Sequence, residues 1–250
     1  IALTGLGNAL MDLGEFAQAR QSYSQTLAIA HEQGDRQTEA QAFGNLAWVC
    51  WRMSDFSTSV RYAEQQLAVA QELADTASEI QALQNLGGLA FEMSDVQQAL
   101  LQYERALVLV RAVGDRYREG YILVNLSVVY AKCGRLTDAF LIAEQALESN
   151  QSIGNHHGIC SVLETLGNLA FENGDSVRAK DLWQQALTLA RAHTLIDCES
   201  RSLHLIGKAL LEQVEFDQAH IFLDQALHIR QQIHDEMGEM QTRFLLVQLF

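Results

Sequence analysis

Asn45, Asn85 and Asn125 stand 40 residues apart, and Asn8 and Asn168 form a second row in step with the same interval. A side-chain amide both donates and accepts hydrogen bonds. A regular row of them can pair with the backbone of an extended peptide whatever its sequence, or can bond to neighbouring helices and hold a stack together. A further row at the same interval is Met11, Trp51, Phe91, Ala131, Phe171 and Leu211, with Trp48 and Tyr121 near it. Grouped aromatics can anchor a partner; the same residues can also pack one helix against the next. Trp48 and Trp51 are three apart and share one helix face. Residue types that do covalent or metal chemistry are present but not assembled. His156 and His157 fall in a predicted turn, with no second ligand at metal spacing. His204 lies one turn from Lys208, whose charge opposes binding of a proton or a metal. Glu164 and Glu172, eight apart on a helix, read as solvated charges. Gly5-Leu6-Gly7 lacks the preceding strand and third glycine of a dinucleotide loop, and Gly207-Lys208 lacks the rest of a phosphate loop. The expectation is a chain with no catalytic residue, no metal and no cofactor.

The interval that orders these residues runs through the whole chain. Leu6, Leu46, Leu86, Leu126, Leu166, Ile206 and Leu246 are each 40 apart, as are Leu27, Leu67, Leu107, Leu147, Leu187 and Leu227. A period between roughly 20 and 50 residues is the signature of a stacked-repeat architecture. Within residues 36–75, Phe43, Leu46, Ala47 and Cys50 make one helical stripe, and Val60, Ala63, Leu67 and Ala70 make a second. Ser54-Asp55 breaks the pattern between them, and Asp55 is suited to cap the second helix. Equivalent breaks recur at Gly14-Glu15, Gly34-Asp35, Gly114-Asp115, Gly134-Arg135, Gly154-Asn155 and Gly174-Asp175, where glycine can end one helix in the left-handed conformation. Each unit is therefore a helical hairpin, and no segment alternates as a strand would. The fold class is all-α: a solenoid of antiparallel hairpins spanning 1–250 as one domain. Its units are 1–34, 35–74, 75–114, 115–154, 155–194 and 195–234, with a leftover helix in 235–250. Small residues at Gly7, Ala47, Gly87, Ser127, Gly167 and Gly207 allow close helix approach, with Tyr23, Tyr103 and Trp183 filling the space beside them.

Composition narrows the function classes. The 250 residues include no proline, 48% are hydrophobic and 8% aromatic, which is ample for a folded core. A net charge of −14 disfavours nucleic acid as a partner. No apolar run reaches the roughly 18–20 residues of a membrane span. Cys50, Cys133, Cys160 and Cys198 form no paired motif and read as buried thiols in a reducing compartment, which points to the cytoplasm. Ile1 falls in the middle of one unit and Phe250 in the first helix of another, so a piece of a larger protein is expected.

Leu126, Ser127, Tyr130, Ala139 and Ala146 in one unit, and Leu86, Gly87, Ala99, Tyr103, Ala106 and Leu107 in another, resemble the tetratricopeptide repeat pattern. The resemblance covers essentially the whole chain. It departs in two ways: the period is 40 rather than 34, and the proline that ends the family's second helix is replaced by His31, Gln71, Arg111, Gln151, Arg191 and Gln231. This long, proline-free form is similar to the repeats of kinesin light chains, Leu-Gly-Asn scaffolds, Rap regulators and signal-transduction ATPase sensors. The resemblance implies a right-handed superhelix whose first helices line a concave groove. It places Asn8, Asn45, Trp48, Trp51, Arg52, Gln81, Asn85, Phe91, Tyr121, Asn125, Asn168 and Phe171 at partner-binding positions. It implies a scaffold or sensor that binds a peptide or partner domain, with self-association open to exposed terminal repeats. The alternative is a regulatory arm that binds a small ligand or its own effector domain and controls an attached enzyme or DNA-binding unit. The carboxylate clamp of chaperone-binding relatives is incomplete: Asn8 and Asn45 match its asparagines, but Thr4, Gln81 and Asn85 stand where its cations belong.

Overall fold

The computed structural model describes residues 2–249. Among them are thirteen α-helices and no strand. The chain divides into two compact units, Ile1–Asp115 and Arg116–Phe250. The first holds α1 (Ala2–Asp12), α2 (Phe16–Gln33), α3 (Arg36–Arg52), α4 (Phe56–Glu72), α5 (Thr76–Glu92) and α6 (Val96–Val113). The second holds α7 (Arg116–Lys132), α8 (Leu136–Ser152), α9 (His156–Glu172), α10 (Ser176–Ala192), α11 (Ile196–Glu212), α12 (Phe216–Gln232) and α13 (Glu236–Val247). In each unit successive helices pack as hairpins, and the first helices of neighbouring hairpins also touch: α3 with α5, α7 with α9, and α9 with α11.

The breaks read from sequence are the helix boundaries. The side chains of Asp35, Asp55, Asp75, Asp95, Asn155 and Asp175 each accept a hydrogen bond from a backbone N–H in the first turn that follows. His156 and His157 are not in a turn, as their neighbours suggested. They are the first two residues of α9, because Asn155 starts the helix one residue ahead of them. Every inter-helix turn contains one residue of left-handed backbone, glycine at six positions and Ser54, Ala74, Ser94, Thr194, Val214 and His234 at the others. Thr194 at φ 58° and Val214 at φ 64° are β-branched, the type for which that region is most strained.

The small-residue slot is matched to the helix opposite. A Cβ at Gly7, Gly87, Gly167 or Gly207 would collide with Tyr23, Tyr103, Trp183 or Leu223 respectively. Where the slot holds Ala47 or Ser127 instead, the residues at the register of Tyr23 are Ala63 and Ala143. Side-chain volume is thus conserved within each hairpin although neither position is constant. The leucine series is buried wherever helices flank it on both sides. Leu46, Leu126 and Ile206 are at most 1% exposed, whereas Leu6, on the first helix of the series with no hairpin before it among the described residues, is 51% exposed.

Three of the residues in the family's proline slot tie one hairpin to the next. His31 Nδ1 lies 2.9 Å from Glu39, Gln71 Nε2 donates to Glu79 at 2.8 Å, and Arg191 Nε donates to Glu199 at 2.8 Å. Each pair spans eight residues across the turn between a second helix and the next first helix. Glu39 is also held by Arg36, which reaches Glu72 as well. Burial favours the neutral Glu39 carboxyl, but the hydrogen bonds from His31 and Arg36 outweigh it and hold the group below the usual carboxylate range.

Two polar residues interrupt a row of small apolar ones at the position just before the proline slot. At the register where other hairpins have Ala30, Ala70, Val110 or Ala190, the second unit has Asn150 and Arg230, 2% and 3% exposed. Asn150 Nδ2 donates to Ala146 O at 2.8 Å, and its Oδ1 accepts from Asn155 Nδ2 at 2.7 Å. Arg230 Nη1 donates to Gly238 O and to Thr242 Oγ1. Gly158 and Gly238, one helical turn into the following helices, leave the room: a Cβ at either would strike Asn150 or Arg230.

Candidate functional site

The first helices carry all the positions expected from sequence to face a partner, and the two units differ in what stands there. In the first unit, Trp48 and Trp51 make an edge-to-face pair on α3, with centroids 5.4 Å apart and planes at 78°. Trp48 is 44% exposed, while Trp51 is half-buried and lies over α5 at Gly88, where an added Cβ would come within 2.5 Å of its ring. Gly88 therefore admits a tryptophan between two first helices, and Trp48 stands on top of it. Arg52 turns away toward α2, its guanidinium carbon 4.8 Å from the Phe16 ring centroid. Asn8 is exposed and accepts a 2.8 Å hydrogen bond from the Tyr23 hydroxyl, so half of its capacity is already used. Asn45 and Asn85 are half-buried, Gln81 is exposed, and no described residue hydrogen-bonds to any of their amides. Phe91 is half-buried near the end of α5.

In the second unit a cavity of about 260 Å³ opens between α7 and α9. Its walls are Tyr117, Tyr121, Val124 and Asn125 on one side and Asn155, His157 and Ser161 on the other, with Asn150 at its base. Tyr117 and Tyr121 are 65% and 58% exposed. The Nδ2 of Asn125 is sealed from solvent and has no hydrogen-bond partner. A buried N–H donor left unpaired costs roughly 1–3 kcal/mol, and a ligand acceptor recovers that loss once the Asn125 side chain turns its amide into the cavity. Of the twelve positions expected from sequence, only Tyr121 and Asn125 line this cavity. Asn168 is exposed on α9, away from it. Phe171 is half-buried, tilted against Trp183 at 5.5 Å, with Lys208 Nζ 5.7 Å from its ring. The cavity exists here because Asn150, unlike the alanines at its register, needs Gly120 and Gly158 on either side. Sequence reasoning missed Tyr117, Asn150, Asn155, His157 and Ser161. The signal was available in the glycines that interrupt the first turns of α7 and α9.

Beyond the cavity, α9 and α11 carry a polar cluster. His157 Nε2 lies 2.8 Å from Asp197 Oδ2, and Arg201 bridges Asp197 Oδ2 at 3.0 Å and Glu164 Oε2 at 2.9 Å. Ser202 donates to the other Glu164 oxygen at 3.0 Å. Burial pushes the Glu164 carboxyl up despite Arg201. Burial also favours a neutral Asp197, but hydrogen bonds from His157 and Arg201 prevail and bring it down to about 2. His157, Asp197 and Cys198 bring ligand-type atoms within 4.8 Å of one another. The Arg201 guanidinium already supplies a cation there, 3.1 Å from Cys198 Sγ. Glu164 is thus a buried structural carboxylate and not a solvated one. His157 and Asp197 meet because they are 40 residues apart, at the same register of neighbouring first helices.

Helical hairpins of fixed length and the glycine–aromatic pairing inside them together define an all-α repeat protein. The tetratricopeptide repeat pattern matches residues 1–72 and 118–192, and the chain belongs to that family. No curated protein sequence matches it. Solved structures share the fold at low identity. BtubC (BKLC) from P. vanneervenii is 21% identical, with 88% of this chain and 92% of that one covered and a TM-score of 0.71. A signal transduction ATPase with numerous domains, carrying a tetratricopeptide repeat sensor, from Pyrococcus horikoshii is 14% identical at a TM-score of 0.77; 99% of this chain aligns with 38% of that larger one. A Rap protein complexed with competence and sporulation factor is 13% identical, with 99% and 73% of the two chains covered and a TM-score of 0.68.

Proposed function

We propose that the chain is a protein-interaction module, a scaffold or sensor, that captures an extended peptide or a partner segment along its first helices. The observation that carries this reading is Asn125 Nδ2, buried and unpaired in the wall of the α7–α9 cavity. A peptide carbonyl is the acceptor such a donor needs, and Tyr117 and Tyr121 give the flanking side chain an apolar surface with polar tips. Asn45 and Asn85, also without partners, repeat the same donor–acceptor group in the first unit, with Trp48 as an exposed anchor beside them. The cavity is smaller than the roughly 300–1,000 Å³ typical of small-molecule pockets, which favours one peptide side chain over a whole free ligand. The likeness to a Rap protein solved with a bound factor supports the same direction. This reading gives the chain a binding role without chemistry of its own. It places the chain in the cytoplasm, where its free thiols stay reduced. None of its described helices is long and apolar enough to cross a membrane.

The test is a peptide-library selection against the purified chain, followed by titration of the selected peptide against Asn85→Ala and Asn125→Ala. Asn85→Ala should keep the parent's melting temperature and Asn125→Ala should keep or raise it, since a buried unpaired amide is removed, and each should weaken binding by about 1 kcal/mol or more, because only the peptide loses a hydrogen bond. A clear loss of stability with unchanged affinity per folded molecule would show that the amides serve the stack.

A further inference from the structure

A further cavity in the second unit lies between α11 and α13, with a volume of about 430 Å³. Its walls are His204 and Lys208 from α11 and Met240, Gln241, Phe244 and Leu245 from α13. No carboxylate is among them, although the chain carries 31 acidic residues against 17 Lys and Arg. Glu239 of α13 is held by Arg243, and Glu212, one turn beyond Lys208, stands outside the walls. We propose that this cavity binds a small free carboxylic acid with an apolar body, His204 and Lys208 holding the carboxylate and Met240, Phe244 and Leu245 the body.

The groups behind His204 decide what it offers. Its Nδ1 lies 3.2 Å from Thr242 Oγ1 and 3.4 Å from Arg230 Nη1. An arginine N–H can only donate, so Nδ1 presents its lone pair and the neutral ring carries its proton on Nε2. Arg230 is fixed in that place, since it is buried and its Nη1 also donates to Gly238 O and Thr242 Oγ1. Burial, then the charges of Arg230 and Lys208, keeps the ring neutral at neutral pH, with its pKa lowered to about 4. The Nε2–H remains as a donor, and no described residue accepts from it. Asp235 lies 3.7 Å from Arg230 Nε, which leaves Lys208 as the unbalanced charge at the cavity. Lys208 is exposed, with its Nζ 5.7 Å from the Phe171 ring, and it pairs with no described carboxylate. A carboxylate that accepts from Nε2 and Nζ gains a charge-assisted hydrogen bond and offsets the positive charge.

The rest of the wall suits an apolar body. Met240 and Phe244 are exposed one turn apart on α13, and Leu245 is half-buried beside them. The methionine side chain adapts to the shape laid against it. The volume falls inside the roughly 300–1,000 Å³ of small-molecule sites, which the α7–α9 cavity does not reach. The two cavities share no residue, so this site stands apart from peptide capture.

The experiment titrates the folded chain with octanoate and with phenylacetate by isothermal calorimetry. NMR follows the ring signals of the eight histidines, with that of His204 assigned through His204→Gln. Both acids should saturate at one site per chain, and octanol, octylamine and phenylacetamide should bind at least roughly tenfold more weakly. The His204 signals should move on binding while those of the other histidines stay. Lys208→Met keeps an unbranched stem at an exposed position; it should weaken both acids roughly tenfold at an unchanged melting temperature. Absence of saturable binding, or equal binding of octylamine, would overturn the inference. So would binding that leaves the His204 signals in place or is untouched by Lys208→Met. Tighter binding of a peptide ending in phenylalanine than of either free acid would also overturn it, and would make the cavity part of a peptide groove.

Discussion

The indole of Trp183 fills the space above Gly167, with its Nε1 donating to Glu164 O at 3.2 Å across the α9–α10 hairpin. Gly167→Ala should cost roughly 2 kcal/mol, because the Cβ must displace a ring packed on every side. Trp183→Ala in the same protein recreates the pairing of Ala47 with Ala63 in the first unit, and should make the second substitution cost less than it does alone. Denaturant unfolding of the two single variants and the double variant checks this. Strict additivity would mean that the two positions are not matched in volume.

Leu126 and Leu86 hold the same register but not the same burial, 1% and 9% exposed. Leu126→Asp should lower stability by about 4 kcal/mol, the cost of a buried carboxylate without a partner. Leu86→Asp should cost less, since its carboxylate can reach water. Thermal melts followed by circular dichroism give the order, and a reversed order would contradict the burial pattern.

His204 gives the second unit a distinct dependence on pH. Its Nδ1 is 3.2 Å from Thr242 Oγ1. Burial first, then the charges of Arg230 and Lys208, lowers its pKa from 6.5 to about 4. Between those values the unfolded chain takes up a proton that the folded chain refuses. Stability is therefore intact above the unfolded pKa and falls as pH drops toward the folded one, by up to ~3 kcal/mol. Urea midpoints compared between about pH 7 and about pH 4 should fall less steeply for His204→Gln than for the parent. Equal slopes would mean that His204 ionises in the folded chain as freely as in the unfolded one.

Val214 occupies a left-handed turn position where Gly14, Gly134 and Gly174 stand in other hairpins. Val214→Gly should raise stability by about 1 kcal/mol, as relief of the strained backbone outweighs the added freedom of the unfolded chain. A drop in melting temperature would show that the exposed valine contributes contacts worth more than its strain.

The helices were legible from sequence because a 40-residue period states the same hairpin many times over, and Asp or Asn caps mark most of the starts, Glu15, Arg135, Leu195 and Glu215 standing at others. The volume pairing was half legible: the glycines and the aromatics were visible as rows, but not that Ala63 and Ala143 answer Ala47 and Ser127. The cavity was not legible. It depends on Asn150, a departure from its row, and a period draws attention to what recurs. The replacements for the family's proline were noticed as an absence, while their partners Glu39, Glu79 and Glu199 lay eight residues downstream.

Asn150 and Arg230 also decide where such a chain can be cut and rejoined. Gly167 and Trp183 lie in one hairpin, so a duplication or transplant of that hairpin carries the fit along. Asn150 ends one hairpin while Gly158, which makes room for it, begins the next. A recombination point in the turn between α8 and α9 would separate them, and an incoming helix with any side chain at that place would meet a buried amide. The units of this protein are thus inherited most safely in overlapping pairs, with the seam inside a hairpin and not between two.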